Sequence, residues 1–232
     1  MEKSIQADVL QSIIYKFNHA IYTGNNMDKI KLCYFDFNGG RGEPIRIAMS
    51  IAGIDFEDKR MSFPEFSKMR GSTPLNAFPT LEINGEVYTQ SNAMNRYFGK
   101  QAGLYPDDPW EAFKCDEVME AIEDVYHCMV RTFGLEGEGL KRARGTLSNT
   151  LNIYLKLLGK RLVAAGDVFF ADTKLTVADL KVYVLVKSLT SGSLDHIPVD
   201  LTQQVAPNLL KHMARIDEEP SVVAYYQKLN AE

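Results

Sequence analysis

Apolar and polar positions along the chain change their period once, and that change divides it. Residues 30–35, Ile30-Lys31-Leu32-Cys33-Tyr34-Phe35, read as a strand, and residues 36–40 as a loop. A helix follows, with Pro44 in its first turn and Ile45, Ile47, Ala48, Met49 and Ile51 as its buried side, ending at Gly53. Residues 54–60 alternate like a second strand, and a polar connection leads to Phe78-Pro79 and a third strand over 80–83. Asn84-Gly85 between two short apolar runs is a strong hairpin signal, because both central turn positions want φ > 0. The return strand is 86–88. Proline at a strand start removes a ladder donor, so Pro79 belongs at an edge or a bend. Ser91 then opens a helix, its hydroxyl placed to cap a free N–H, with Ala93, Met94, Tyr97 and Phe98 on one face. The order is βαβ followed by ββα, which closes one small sheet with helices on its faces.

Beyond the Pro/Asp-rich stretch 103–109 the strand-like alternation disappears. Residues 110–133 run without Pro or Gly and set Val118, Ile122, Val125, Met129 and Val130 on one side of a long helix; 140–162 make another. Thr176-Val177-Ala178-Asp179 is a capping box, with Leu175 and Leu180 at the positions of a hydrophobic staple. It starts a helix over 177–187 that is apolar nearly all round and therefore buried. A last short helix covers 221–229. Upstream, Ile5, Val9, Ile13, Phe17 and Ile21 recur every four residues, so residues 1–26 can form one amphipathic helix. The segment lacks the continuous apolar core of a secretory signal, and Glu2 and Asp8 do not suit a mitochondrial presequence. The expected division is an extension at 1–26, an α/β domain at 27–102, a linker at 103–109 and a helical domain at 110–232.

The 232 residues, 45% apolar, suffice for such a pair of cores, and no apolar run approaches the length of a bilayer span. The net charge of −4 and the absence of a basic stripe argue against nucleic acid; Lys141-Arg142-Ala143-Arg144 reads as a solvated helix face. Cys33, Cys115 and Cys128 form no CxxC and have no His at metal spacing, which points to free thiols in a reducing, cytoplasmic compartment without a metal.

Three groups of residues carry a family resemblance. Phe78-Pro79 stands ahead of Gln90-Ser91 and the run Asn92-Ala93-Met94-Asn95-Arg96-Tyr97; Leu32-Cys33-Tyr34-Phe35 stands ahead of Arg41-Gly42-Glu43-Pro44-Ile45-Arg46; and the Thr176 capping box falls in the helical part. Together they resemble the soluble glutathione transferases, most closely the sigma-like, tyrosine-type class. The resemblance implies a thioredoxin-like domain followed by an all-helical one, glutathione as co-substrate, no metal, and a homodimer. It implies that Tyr34 polarises the glutathione thiol, and that Phe66 and Arg70 take the glycyl carboxylate where relatives often carry Trp and Lys. Phe78, beside Pro79, would pair its backbone with the cysteinyl unit; Asn76 occupies a stretch where relatives often present Lys or Gln. Gln90 and Ser91 would take the γ-glutamyl carboxylate, and Asp124 would reach the γ-glutamyl ammonium of the partner subunit's ligand. Glu120, Glu123 and Asp124 read otherwise as a wet helix face. Phe37, Tyr126, Val130 and Phe133 are the candidate pocket for a small hydrophobic electrophile.

One departure falls at the catalytic loop. The family's Arg-Gly-Arg-x-Glu run is here Asn38-Gly39-Gly40-Arg41-Gly42-Glu43, one residue longer and without the first arginine. Arg41 either steadies the tyrosine or points to solvent. Alternatives on the same scaffold are a glutathione-dependent isomerase or peroxidase and a non-catalytic binding protein. A disulfide oxidoreductase is disfavoured, since Gly39-Gly40-Arg41 offers no cysteine or serine.

Overall fold

In a computed structural model the chain is described over residues 29–231. The amphipathic helix expected over 1–26 lies outside the described residues. The first part contains β1 (Ile30–Phe35), α1 (Glu43–Ile51), β2 (Glu57–Met61), α2 (Phe63–Met69), a short 3₁₀ turn, β3 (Thr80–Ile83), β4 (Glu86–Tyr88) and α3 (Ser91–Gln101). The strand order is β2-β1-β3-β4, with β1 and β2 parallel and the other pairs antiparallel. β1 is thus central, and Tyr34 near its C-terminal end stands opposite Arg60 of β2. The fold is the expected thioredoxin-like βαβ–ββα unit followed by helices. Pro79 lies at the bend directly ahead of β3, in a cis peptide after Phe78.

In this part, two departures from the sequence reading have local reasons. β2 begins at Glu57 rather than at residue 54. Gly53, at φ 67°, ends α1 in a Schellman motif: its N–H donates to the Ser50 carbonyl and the Ile54 N–H to the Met49 carbonyl, so Ile54 closes a helix instead of starting a strand. The presumed polar connection after β2 contains α2, with Ser62 and Glu65 as a reciprocal capping box.

The helical part comprises α4 (Pro109–Val130), α5 (Gly137–Ala164), α6 (Val177–Thr190), α7 (Leu201–Val205), α8 (Asn208–Asp217) and α9 (Pro220–Ala231). α6 is its axis. Residues 177–186 are all buried, and the helix packs on α4 and α8 and reaches α1 and α3 of the sheet domain. The capping box is present, with the Thr176 N–H and hydroxyl both donating to Asp179 at 2.8 and 2.6 Å. Asp179 also accepts from the Phe170 N–H and sits 2.9 Å from His212 Nε2, so the buried carboxylate is saturated. At the far end of α4, Trp110 is exposed and stacked on Phe113 with ring centroids 5.2 Å apart.

Candidate active site

Tyr34 is 5% exposed, and its ring is enclosed by the loop between β1 and α1. The Arg41 backbone N–H donates to the Tyr34 hydroxyl oxygen at 2.9 Å. A Cβ at Gly40 would stand 2.4 Å from that oxygen, and one at Gly42 2.4 Å from the ring Cδ1, so only glycine lets the chain pass this close. Gly40 also has φ +61°. The longer loop therefore folds onto the phenol, its glycines in contact with the ring. Arg46, buried in α1, fixes the loop from below: its guanidinium donates to the carbonyls of Phe37 and Phe35 and to the carboxylates of Asp58 and Glu43. Burial pushes the Tyr34 phenol above its ordinary value, against the Arg41 N–H bond and the charges of Arg41 and Arg46. At neutral pH the phenol keeps its proton. Its oxygen accepts from Arg41, and the O–H is left to donate.

The Arg41 side chain does not point to solvent. Its Nε donates to Glu123 Oε2 at 2.6 Å, and its guanidinium carbon lies 5.4 Å from the centre of the Tyr126 ring. Glu123 Oε1 accepts from the Ser91 hydroxyl at 2.8 Å and from Lys181 Nζ at 2.6 Å. Lys181, fully buried in α6, also donates to Asn92 Oδ1. Burial works to raise the Glu123 pKa, but the charges of Lys181 and Arg41 outweigh it and hold the carboxyl at about 2. Burial pushes the Lys181 ammonium below its ordinary value, and Glu123 opposes that. Four elements thus meet at one carboxylate: the β1–α1 loop, α3, α4 and α6.

Around this network lie the remaining candidates. Phe78 packs with Tyr34 and Met61, and Phe66 leans on it at 4.6 Å between ring centroids. Arg70 is exposed and its Nε donates to the Asn76 carbonyl at 3.0 Å. Asn76 and Gln90 both hold positive φ, 51° and 76°. Phe37, partly exposed, stacks over Phe35 and faces the Tyr34 ring at 5.8 Å. Tyr126 is buried with a hydroxyl that has no hydrogen-bond partner among the described residues. Val130, one turn further along α4, and Phe133 beyond it are half exposed.

Residues 30–100 match the sequence model of the glutathione S-transferase N-terminal domain, and residues 123–229 that of the C-terminal domain. Over 201 residues the chain is 31% identical to glutathione S-transferase 1 of Ascaris suum, an alignment covering 84% of this chain and 94% of that one. The chain belongs to the glutathione S-transferase family. It is also 27% identical, over 203 residues, to the hematopoietic prostaglandin D synthase of Gallus gallus, covering 87% of this chain and 97% of the other. Among solved structures, prostaglandin synthase D of Nilaparvata lugens superposes with a TM-score of 0.74 at 27% identity, covering 86% and 98% of the two chains.

Two expectations for this transferase need correction. Glu123 is not on a wet helix face, because the cations of two other elements draw it inward. Ser91 is the first helical residue and does not cap α3; Gln90 precedes the helix without a side-chain cap, and the Ser91 hydroxyl proton is given to Glu123. What α3 still offers an anion is its first backbone N–H groups, which have no partner within the helix. Asp124, by contrast, is exposed and accepts from the Tyr154 hydroxyl at 3.1 Å, outside this network. Lys181 escaped the sequence reading altogether, and Asn92 was read only as part of the run that opens α3. The one available signal was a lysine inside an otherwise apolar core helix, a position that forces the cation to find a partner.

Proposed function

We propose that this transferase joins the glutathione thiolate to small hydrophobic electrophiles, by the chemistry of the sigma-like class, with Tyr34 as the group that holds the sulfur. The observation that carries the reading is the Tyr34 hydroxyl: its oxygen is occupied by the Arg41 N–H at 2.9 Å, and among the described residues none accepts its proton. A free thiol has a pKa of about 8.5, so little is thiolate at neutral pH, and each unit of lowering corresponds to about 1.4 kcal/mol of preferential stabilisation of the anion. A buried phenol donating to the sulfur supplies such stabilisation. Residues 27–102 would hold glutathione and residues 110–232 the electrophile, with 103–109 between them. Gln90, Ser91 and the start of α3 receive the γ-glutamyl carboxylate, Phe78 and Pro79 offer backbone to the cysteinyl unit, and Phe66, Arg70 and Asn76 lie toward the glycyl end. Phe37, Tyr126, Val130 and Phe133 form the apolar wall. A cytosolic homodimer, in which Asp124 completes the partner subunit's site, accords with this reading.

Tyr34→Phe is expected to keep glutathione affinity within a few-fold and to lose roughly a hundredfold in conjugation of a chlorinated nitrobenzene, in line with removal of one preorganised donor. Turnover equal to the wild type would reject the assignment. A second reading, a glutathione-dependent isomerase, is favoured by the likeness to two prostaglandin D synthases. Isomerisation of a substrate without net consumption of glutathione would select it. Retention on immobilised glutathione without any turnover would select a binding protein.

A further inference from the structure

The carboxylate of Glu123 is, on first inspection, misplaced. The Tyr34 oxygen is held by Arg41, and Arg41 in turn is held by Glu123 at 2.6 Å. A site meant to stabilise a sulfur anion thus has a buried negative charge two contacts from its phenol, and that charge opposes ionisation beside it. Arg41 alone would be neutralised by the pair, leaving no surplus cation for the sulfur. The second cation comes from the core of the helical domain: Lys181 reaches Glu123 Oε1 at 2.6 Å, on the oxygen that Arg41 does not use. With both cations in place the cluster carries one net positive charge.

We propose that Lys181 is a positioning residue of the glutathione site, which cancels the Glu123 carboxylate from behind so that the charge of Arg41 remains available to the thiolate at Tyr34. Lysine does this from a fully buried position. The charged groups around it are Glu123 and, more distantly, Glu120 from α4, and Arg41 from the β1–α1 loop; Glu120 is paired with Arg96. α3 contributes the uncharged Asn92, whose side-chain oxygen takes another of the three ammonium protons. The ammonium is therefore held by two acceptors from two elements, and its charge is fixed in place behind Glu123.

The inference rests on the conjugating function proposed above, and the test separates the two. Thiolate absorbance of bound glutathione is followed against pH in the wild type, in Lys181→Met, and in the double variant Lys181→Met/Glu123→Gln. Counting Arg41, Glu123 and Lys181, the net charges are +1, 0 and +1. The thiol pKa is expected to rise by about one unit in Lys181→Met, a loss of about tenfold in thiolate below that pKa, while the dissociation constant of glutathione moves much less. The double variant is expected to return the pKa to the wild-type value although both groups are gone. Should Lys181→Met fail to fold, Glu123→Gln and the double variant decide together: at net charges of +2 and +1 their thiol pKa values are expected to differ by about one unit, and equal values overturn the role of Lys181. A thiol pKa unchanged in Lys181→Met, or one that stays raised in the double variant, overturns the role of Lys181 and leaves the conjugating function standing. A wild type that binds glutathione without any thiolate signal overturns both.

Discussion

At the scale of single residues, the catalytic region is built by close approach as much as by charge. Gly40 and Gly42 lie against Tyr34 with no room for a Cβ, so Gly42→Ala must displace the ring or the loop. The expected outcome is a loss of conjugation with the fold retained, seen as a fall in kcat/KM of tenfold or more beside an unchanged far-ultraviolet circular dichroism spectrum. Tyr126 poses the opposite case. Burial, reinforced by the neighbouring Tyr34 and Glu123, pushes its phenol upward, and its hydroxyl is unpartnered among the described residues. Tyr126→Phe should therefore be neutral or stabilising by up to about 1 kcal/mol in urea denaturation, since it removes a buried polar atom that makes no bond. The family resemblance pointed to Tyr34, because the order of residues around it is specific, and left Arg41 open between the tyrosine and solvent. By sequence Glu123 reads as a wet helix face, and Lys181 is left unread. Neither has a neighbour in sequence that explains it; their meaning comes from an 82-residue and a 58-residue separation closed by the fold.

At the scale of elements, legibility followed burial. α6 was readable because a capping box and a hydrophobic run agree, and α1 because one apolar face repeats. α2 has no buried residue, so hydrophobic periodicity carries no trace of it, yet Ser62-Phe63-Pro64-Glu65 held its capping box in plain sight. β2 was misplaced by three residues because Ile54 and Phe56 mimic strand alternation while the glycine before them had already assigned Ile54 to a helix stop. Asp179 shows what one element end can carry. Asp179→Ala would strip partners from Thr176, Phe170 and His212 at once, and is expected to cost about 3–5 kcal/mol, measured as a shift of the urea midpoint with the slope preserved.

At the scale of the molecule, the two parts are joined by charge as well as by packing. Glu123 is held at about 2 when folded, below the ordinary glutamate value of 4.5, so the folded state binds its proton less readily than the unfolded one. The stability this contributes is complete above about 4.5 and is lost as the pH falls toward 2. Acid titration of thermal stability should show that loss in the wild type and a smaller one in Glu123→Gln. The division into sheet and helices was legible from the period change alone, whereas the contact of α6 with α1 and α3 was not, because an all-round apolar helix does not say which neighbour it will meet. The same layout decides how binding can be watched by light. The chain's single tryptophan is Trp110, at the start of α4, and Glu123 lies thirteen residues along the same helix, roughly 20 Å away at 1.5 Å per residue. Its indole, solvent-facing and stacked on Phe113, will emit like a surface fluorophore and stay nearly silent as ligands enter beside Tyr34. A tryptophan engineered at Phe37 would be the reporter that sees them.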